Sequence, residues 1–350
     1  MIQYAQTGAV ERRIKEWGRP VKARSLRIAA AVGTVVLIAG CTDPSEEEDG
    51  STESFTIGIT QIVSHPALDA SVQGFKDALE DAGLDVTYDE QNAQGESSNA
   101  ATIAGAFAAD DSIDLVLAVA TPSAQAVVSA ISDTPVLFAA VTDPVAAGLV
   151  STLDGSGTNV SGASDLNPEA NPIGLIREII PDVSEVGVIY SSAEVNSQVQ
   201  VEALEAEAAE LGVTIRHSAI TNSSEVAVGA QALEGVDAIY VPTDNTVVSA
   251  LEAVIDFAQT TQTPLFAGDS ESVSRGAIAT RGLDYYEMGY AVGEMAVQIL
   301  RDGVDVGTLA TLVATDTEVM VNVAAAEAQG VTLSEEFLAD ATVLDASSDG

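Results

Sequence analysis

The chain has 350 residues, 47% of them apolar, and a formal charge of −40. That length accommodates two ordinary domains with real cores. After Cys41 the sequence holds 6 basic against 51 acidic residues, a balance of −45, which excludes a nucleic-acid surface because phosphate binding needs clustered Lys and Arg.

The chain opens with a basic stretch: Arg12, Arg13, Lys15, Arg19, Lys22, Arg24 and Arg27 all precede residue 28. Residues 28–39, "IAAAVGTVVLIA", form an uncharged apolar run. It is too short to cross a bilayer core and suits the apolar region of a signal peptide. The run ends in Leu37-Ile38-Ala39-Gly40-Cys41, which resembles the lipobox of prokaryotic lipoproteins, in which the cysteine is lipidated and becomes the new N-terminus. Residues 1–40 are thus expected to be a lipoprotein signal peptide, and the Arg12-Arg13 pair leaves general or twin-arginine export open. The acidic stretch "TDPSEEEDGSTES" follows, so residues 41–54 read as a solvated tether. With Cys41 as the sole cysteine, no intramolecular disulfide can form.

From Phe55 the chain alternates short apolar runs with amphipathic segments. Strands are predicted at 55–63, 84–90, 113–120, 134–141, 159–164, 185–191, 213–220, 236–242, 263–269 and 276–282. Helices are predicted at 67–82, 97–110, 123–132, 169–180, 195–211, 224–234, 247–260 and 285–301. Several strands are nearly continuous Val, Ile, Leu and Ala, as in parallel strands covered on both faces. The alternation predicts an α/β protein with doubly wound parallel sheets. An internal echo points to two lobes of one topology. "IDLVLAVATPSAQAVVSAISDTPVLFA" (113–139) and "VDAIYVPTDNTVVSALEAVIDFAQTTQTPLFAG" (236–268) share a strand, a Thr-containing tip, a helix with Val-Val-Ser-Ala, then Thr-Pro and a Leu-Phe-Ala strand. Ligands of such sheets bind beyond the carboxyl ends of the strands, so facing lobes would share one cleft.

The strand tips supply the candidate ligand-binding residues. They are Gln61, His65, Thr121, Pro122, Ser123, Asp143, Asp165, Ser191, Glu194, Asn196, Thr243, Asp244, Asn245, Asp269, Ser270 and Asp284. Thr121-Pro122-Ser123 has the form of a helix start, whose free N–H groups suit a carboxylate. Asp143, Asp244, Asp269 and Glu194 suit an ammonium group, although turn-forming or capping roles explain such acids equally well. Tyr285 and Tyr286 read as packing residues at a helix start, either of which could stack on a ligand. His217 reads as structural. No catalytic set is evident: the two histidines are far apart without metal-ligand spacing, and neither G-x-S-x-G nor a P-loop occurs. No cofactor is implied and no enzymatic activity is expected.

The segments "IGITQIVSHPALDASVQGFKDALEDAG", "NAQGE", "ATPSAQA", "AVTDPVAAGLV", "NVSGASD", "VGVIYSSAEVNS", "DAIYVPTDNTVVSA", "FAGDSESVSRGAIAT" and "GLDYYEMG" resemble, in this order, the substrate-binding lipoproteins of ABC transporters. The closest resemblance is to the TrpX-type aromatic amino-acid-binding family, and it runs over about residues 55–330. It implies a type I periplasmic-binding-protein fold, two lobes joined by a three-segment hinge. It also implies uptake of tryptophan or tyrosine. Crossings are expected near 163–167, 270–273 and 284–300. Lobe one is then 55–163 plus 271–300, lobe two 164–270 plus 301–335, and 336–350 an acidic tail.

The expected protein is therefore an extracytoplasmic, lipid-anchored solute-binding component of an ABC importer. It would act as a monomer, with a small-molecule ligand, a membrane permease as partner, and no nucleic acid. A ligand-sensing receptor of the same fold, or a sugar or nucleoside binder, are the alternatives. The scarcity of lysine after Cys41, where only Lys76 occurs, and the acidic surface predict adaptation to high salt, where ions screen self-repulsion. The melting temperature should accordingly fall steeply as salt is lowered from molar to millimolar, measured by circular dichroism. A flat profile would remove the halophilic reading.

Overall fold

A computed structural model describes residues 54–167, 170–313 and 317–344. The expected signal peptide, Cys41, and the tether up to residue 53 lie outside the described residues, as do 345–350. Ser54, expected in the tether, begins the first strand.

The first sheet contains β1 (Ser54–Gln61), β2 (Asp85–Asn92), β3 (Leu115–Val119), β4 (Val136–Val141) and β5 (Val160–Ser164). With β11 (Leu312–Val313) the order is β11-β5-β4-β3-β1-β2, all parallel. The second contains β6 (Glu185–Ser191), β7 (Thr214–Ile220), β8 (Ala238–Val241) and β9 (Leu265–Ala267), parallel in the order β7-β6-β8-β9. Both sheets thus begin with the second strand outside the first, followed by the third and fourth, so the internal echo corresponds to strand pairs in equivalent positions, β3-β4 and β8-β9. The "LVLAV" and "VLFAAV" strands are buried throughout, because helices cover both faces.

Around the first sheet lie α1 (Pro66–Asp81), α2 (Ser97–Ala108), α3 (Thr121–Ala130) and a late helix, here α10, Tyr285–Leu300. Around the second lie α4 (Pro172–Ile179), α5 (Val195–Leu211), α6 (Val226–Gln231), α7 (Asn245–Val248), α8 (Leu251–Thr261) and α9 (Ser270–Arg275). Each sheet has a buried apolar cluster on either side. The predicted helix 195–211 has the expected limits and stops at Gly212, whose φ of 71° is the left-handed conformation that ends helices. The single helix expected at 247–260 is instead two, because Ala250 leaves helical geometry between α7 and α8.

Helix α10 reaches the first sheet from far along the chain and packs on α1 through glycine. A Cβ on Gly289 would stand 1.9 Å from the Ser71 carbonyl oxygen, so only glycine permits this approach. Phe75 and Val292 are fully buried at the same seam.

The expected lobe boundaries need correction. Helix α9 and strand β10 (Ala279–Gly282) belong with the second sheet, not the first: Ile278 N–H donates to the Leu265 carbonyl of β9 at 2.7 Å. Strand β10 pairs antiparallel with β12 (Glu318–Val321), which pairs with β13 (Thr342–Val343). Strand β11, expected in lobe two, extends the first sheet beside β5. The chain therefore passes between lobes after Ser164 and around Leu283, rather than near 270–273 and within 284–300, and it is again in the first lobe at β11 and in the second at β12. The tail expected from 336 is also ordered as far as Leu344. Helices α11 (Val323–Ala328) and α12 (Glu335–Ala339) precede β13, and Leu344 N–H donates to Val321. No helix of the described residues is long and apolar enough to cross a membrane.

Candidate functional site: the cleft between the lobes

The carboxyl ends of the strands face one another, and two connected hollows lie between them. A smaller one is lined by His65, Leu68 and Tyr285 from the first lobe, Asn196, Thr243, Asn245 and Asp269 from the second, and Asp165 at the first crossing. A larger one, about 370 Å³, shares Thr142, Asp165, Thr243 and Tyr285 and runs past Gln200, Leu204 and Tyr240 to Glu207. That volume suits a small molecule.

The backbone is strained just after β3 and near the end of β4, where Ala140 lines the smaller hollow. Ala120 has φ 73° and ψ 155°, and Ala140 has φ 55°. These are conformations that alanine pays for, at about 1–3 kcal/mol each, and they concentrate at functional positions. The turn at Ala120 starts α3 at Thr121, with Pro122 at the start of the helix. The hydroxyls of Thr121 and Ser123 are buried and meet no partner within the described residues. So does Nδ1 of His65, whose pKa burial pulls down despite the nearby Asp269 carboxylate. The neutral ring is thus favoured.

The acidic candidates separate by what they already hold. Asp244 is fully buried. Its Oδ2 accepts Ser191 N–H at 2.5 Å and the Ser197 hydroxyl at 2.6 Å, and its Oδ1 accepts Val247 N–H at 2.8 Å. It caps α7 and ties β6 to β8. Glu194 accepts from the amides and side chains of Asn245 and Thr246 and from Asn196 Nδ2. The ammonium clamp expected of Asp244 and Glu194 is therefore contradicted: their oxygens are spent on the protein, and neither lines the hollows. Asp143 caps the turn at Val145 and Ala146, and exposed Asp284 caps α10 through Glu287 N–H at 3.0 Å. Neither lines the cleft. Asp269 caps α9 through Ser272 but does line it.

Asp165 differs. Its Oδ2 accepts the Tyr285 hydroxyl at 2.9 Å, while buried Oδ1 has no partner at hydrogen-bond geometry. Burial pushes its pKa up, against the opposing pull of Tyr285 and Thr142. Tyr285, read from sequence as packing, is thus a cleft residue.

Among the remaining candidates, Asn196 donates to Glu194 and to the Thr243 carbonyl at 3.0 Å, and its buried Oδ1 has no partner. Thr243 exchanges hydrogen bonds with Gln200: its N–H donates to Oε1 at 3.0 Å and Gln200 Nε2 donates to its hydroxyl at 2.6 Å. Gln61 donates to Asp69, Ser191 serves Asp244, and Ser270 donates to Glu271. These three side chains do not line the hollows. Sequence reasoning missed Thr142, Gln200, Glu207, Tyr240 and Leu283. Gln200 and Glu207 could have been found from the helical spacing of α5 starting at Asn196, which brings positions 196, 200, 203 and 207 to one face.

With the fold and the cleft described, the architecture is clear: the two-lobed type I periplasmic-binding fold. Residues 56–344 match the family model of the ABC transporter substrate binding proteins, and the chain belongs to that family. It is 39% identical, over 86% of its length and 90% of the relative's, to a tyrosine-binding protein of Clostridioides difficile strain R20291. Among solved structures, the ABC domain in complex with L-Trp from Streptococcus pneumonia has a TM-score of 0.80 at 36% identity, covering 83% of this chain and all of that one. The ligand-free, open structure of a substrate binding protein with adhesive properties from Clostridium difficile has a TM-score of 0.63 at 41% identity, covering 83% of this chain and 99% of that one. The chain superposes better on the complex than on the more identical open structure.

Buried acids make the body sensitive to pH. Burial first and Glu194 second push Asp244 up to about 7, and burial first and Asp269 second push Glu271 up to about 7. A carboxyl raised on folding favours the folded state below its unfolded pKa, and that contribution is lost as pH rises through the folded value. Thermal stability of the ligand-free body should thus fall as pH rises from about 4 to about 7. Glu271→Gln should raise the melting temperature at pH 8 and leave it unchanged at pH 4. An equal shift at both pH values would contradict this assignment.

Proposed function

We propose that this protein is the extracytoplasmic, lipid-anchored solute-binding component of an ABC importer, and that its solute is an aromatic amino acid, tryptophan- or tyrosine-like. It binds and releases the solute without converting it, acts as a monomer, and hands the solute to a membrane permease. The observation that carries the solute reading is the unsatisfied Oδ1 of Asp165 beside an apolar hollow. The free Oδ1 of Asp165 suits an ammonium group, with the Asp269 carboxylate nearby. The start of α3, with the Thr121 and Ser123 hydroxyls, suits a carboxylate. Leu204, Tyr240, Leu283 and Tyr285 offer a wall for a ring. The relatives named above support the same reading.

Closure follows from the same atoms. Gln200 of the second lobe donates to Thr142 of the first at 3.4 Å, a long contact that a solute between the lobes would reinforce. Each lobe alone holds only part of the zwitterion, so the solute favours the closed form by its differential contacts.

Calorimetric titration in molar salt, with tryptophan, tyrosine, phenylalanine, a sugar and a nucleoside, is the direct test. Asp165→Asn should weaken amino-acid binding by about ten- to a hundredfold, the value of a charge-assisted hydrogen bond in a closed cleft. Binding of a sugar or nucleoside with no response to any amino acid would sink the solute reading and leave only the receptor class. For the anchor, Cys41→Ser should move the protein from the detergent phase to the aqueous phase. Retention in the detergent phase would show that the cysteine is not the lipid acceptor.

A further inference from the structure

We propose that Glu207 selects rings carrying a hydrogen-bond donor, an indole N–H or a phenol O–H, over the same ring without one. The inference rests on the aromatic amino-acid reading and assigns its specificity-determining residue.

Helix α5 forms one wall of the cleft along its length. Asn196 borders the small hollow, while Gln200, Ala203, Leu204 and Glu207 border the large one. Gln200 stands where Thr142 and Thr243 meet. Seven residues further, at the helical rise, Glu207 lies roughly 10 Å along the axis. Between them the wall is Ala203, Leu204 and Tyr240. The hollow therefore has a polar end at Asp165, an apolar middle and a carboxylate at its far end. An amino acid with its ammonium group at Asp165 would direct its ring along the apolar stretch towards Glu207.

The carboxylate is fixed before any solute arrives. Its Oε1 accepts Gly174 N–H at 2.8 Å, in the first turn of α4, where Asn171 provides no side-chain cap. The carboxylate is half-buried and borders the larger hollow. Burial raises its pKa, and the backbone amides of Gly174 and Ile173 oppose the rise. A bare hydrocarbon edge pressed against that carboxylate would strip water from it and return nothing, whereas an N–H or O–H replaces the lost bond. Sites built around a solute donor discriminate strongly against the analogue lacking it, because a buried polar group is then left unpaired.

Titration of the full-length protein with tryptophan, tyrosine and phenylalanine tests this directly. The wild type should favour tryptophan, tyrosine or both over phenylalanine by about tenfold or more. Glu207→Leu should abolish most of that preference by weakening the donor-bearing rings while phenylalanine binds as before or more tightly. Glu207→Gln, whose amide oxygen still accepts, should keep much of it. If Glu207 only caps α4, Glu207→Leu would lower the melting temperature and weaken all three solutes alike, which overturns the inference. Equal wild-type affinities for the three would overturn it too, while leaving the aromatic reading intact. Failure of all three to bind would remove that reading first and this one with it.

Discussion

The buried carboxylate at the first crossing between the lobes is the constraint around which the cleft is arranged. Asp165 follows directly on β5, the last long strand of the first sheet, and its Oδ2 is held by Tyr285, the first residue of α10. Two crossings of the chain are thereby joined by one hydrogen bond, at the point where both hollows meet. A charge so placed is costly unless it is matched. The protein matches only one of its oxygens, so the free energy of completing the site falls to whatever binds there.

The other acids around the cleft show the opposite logic. In a chain so short of cations, the positive ends available to a buried carboxylate are backbone amides, and these are what Asp244, Glu194 and Asp269 take. Amides at a helix start stabilise an anion through both hydrogen bonds and the dipole. These caps fix the strand tips of the second lobe as a rigid frame, against which Asn196, Thr243 and Asn245 present their remaining groups. Described ion pairs such as Lys76–Glu90 and Arg216–Glu185 lie away from this frame and are partly exposed, where such pairs contribute little.

Rigid lobes and a strained first-lobe edge suit a protein whose task is to close. The glycine seam between α1 and α10 binds the late helix firmly to the first lobe, and Ile278 binds β10 to the second, so relative motion is left to the crossings. Across the cleft, Gln200 of the second lobe already reaches Thr142 of the first.

Much of the fold could be read from the sequence because its signals are local. Continuous apolar runs define β3 and β4, and the spacing of α5 with Gly212 after it defines a helix whose limits follow from its own residues. The quoted motifs, in order, pointed to the family, and Asp165, Asn196, Thr243, Asn245, Asp269 and His65 were recognisable as cleft residues from their position after strands. Tertiary structure alone decided the rest. A two-residue strand such as β11 has no periodicity, and its sheet is set by long-range pairing with β5. Asp244 and Asp165 are indistinguishable as aspartates after apolar strands, yet one is saturated by Ser191, Ser197 and Val247 and the other keeps an oxygen for the cleft. Which of them can serve a ligand depends on donors brought from distant parts of the chain, and linear order carries no record of which donors arrive.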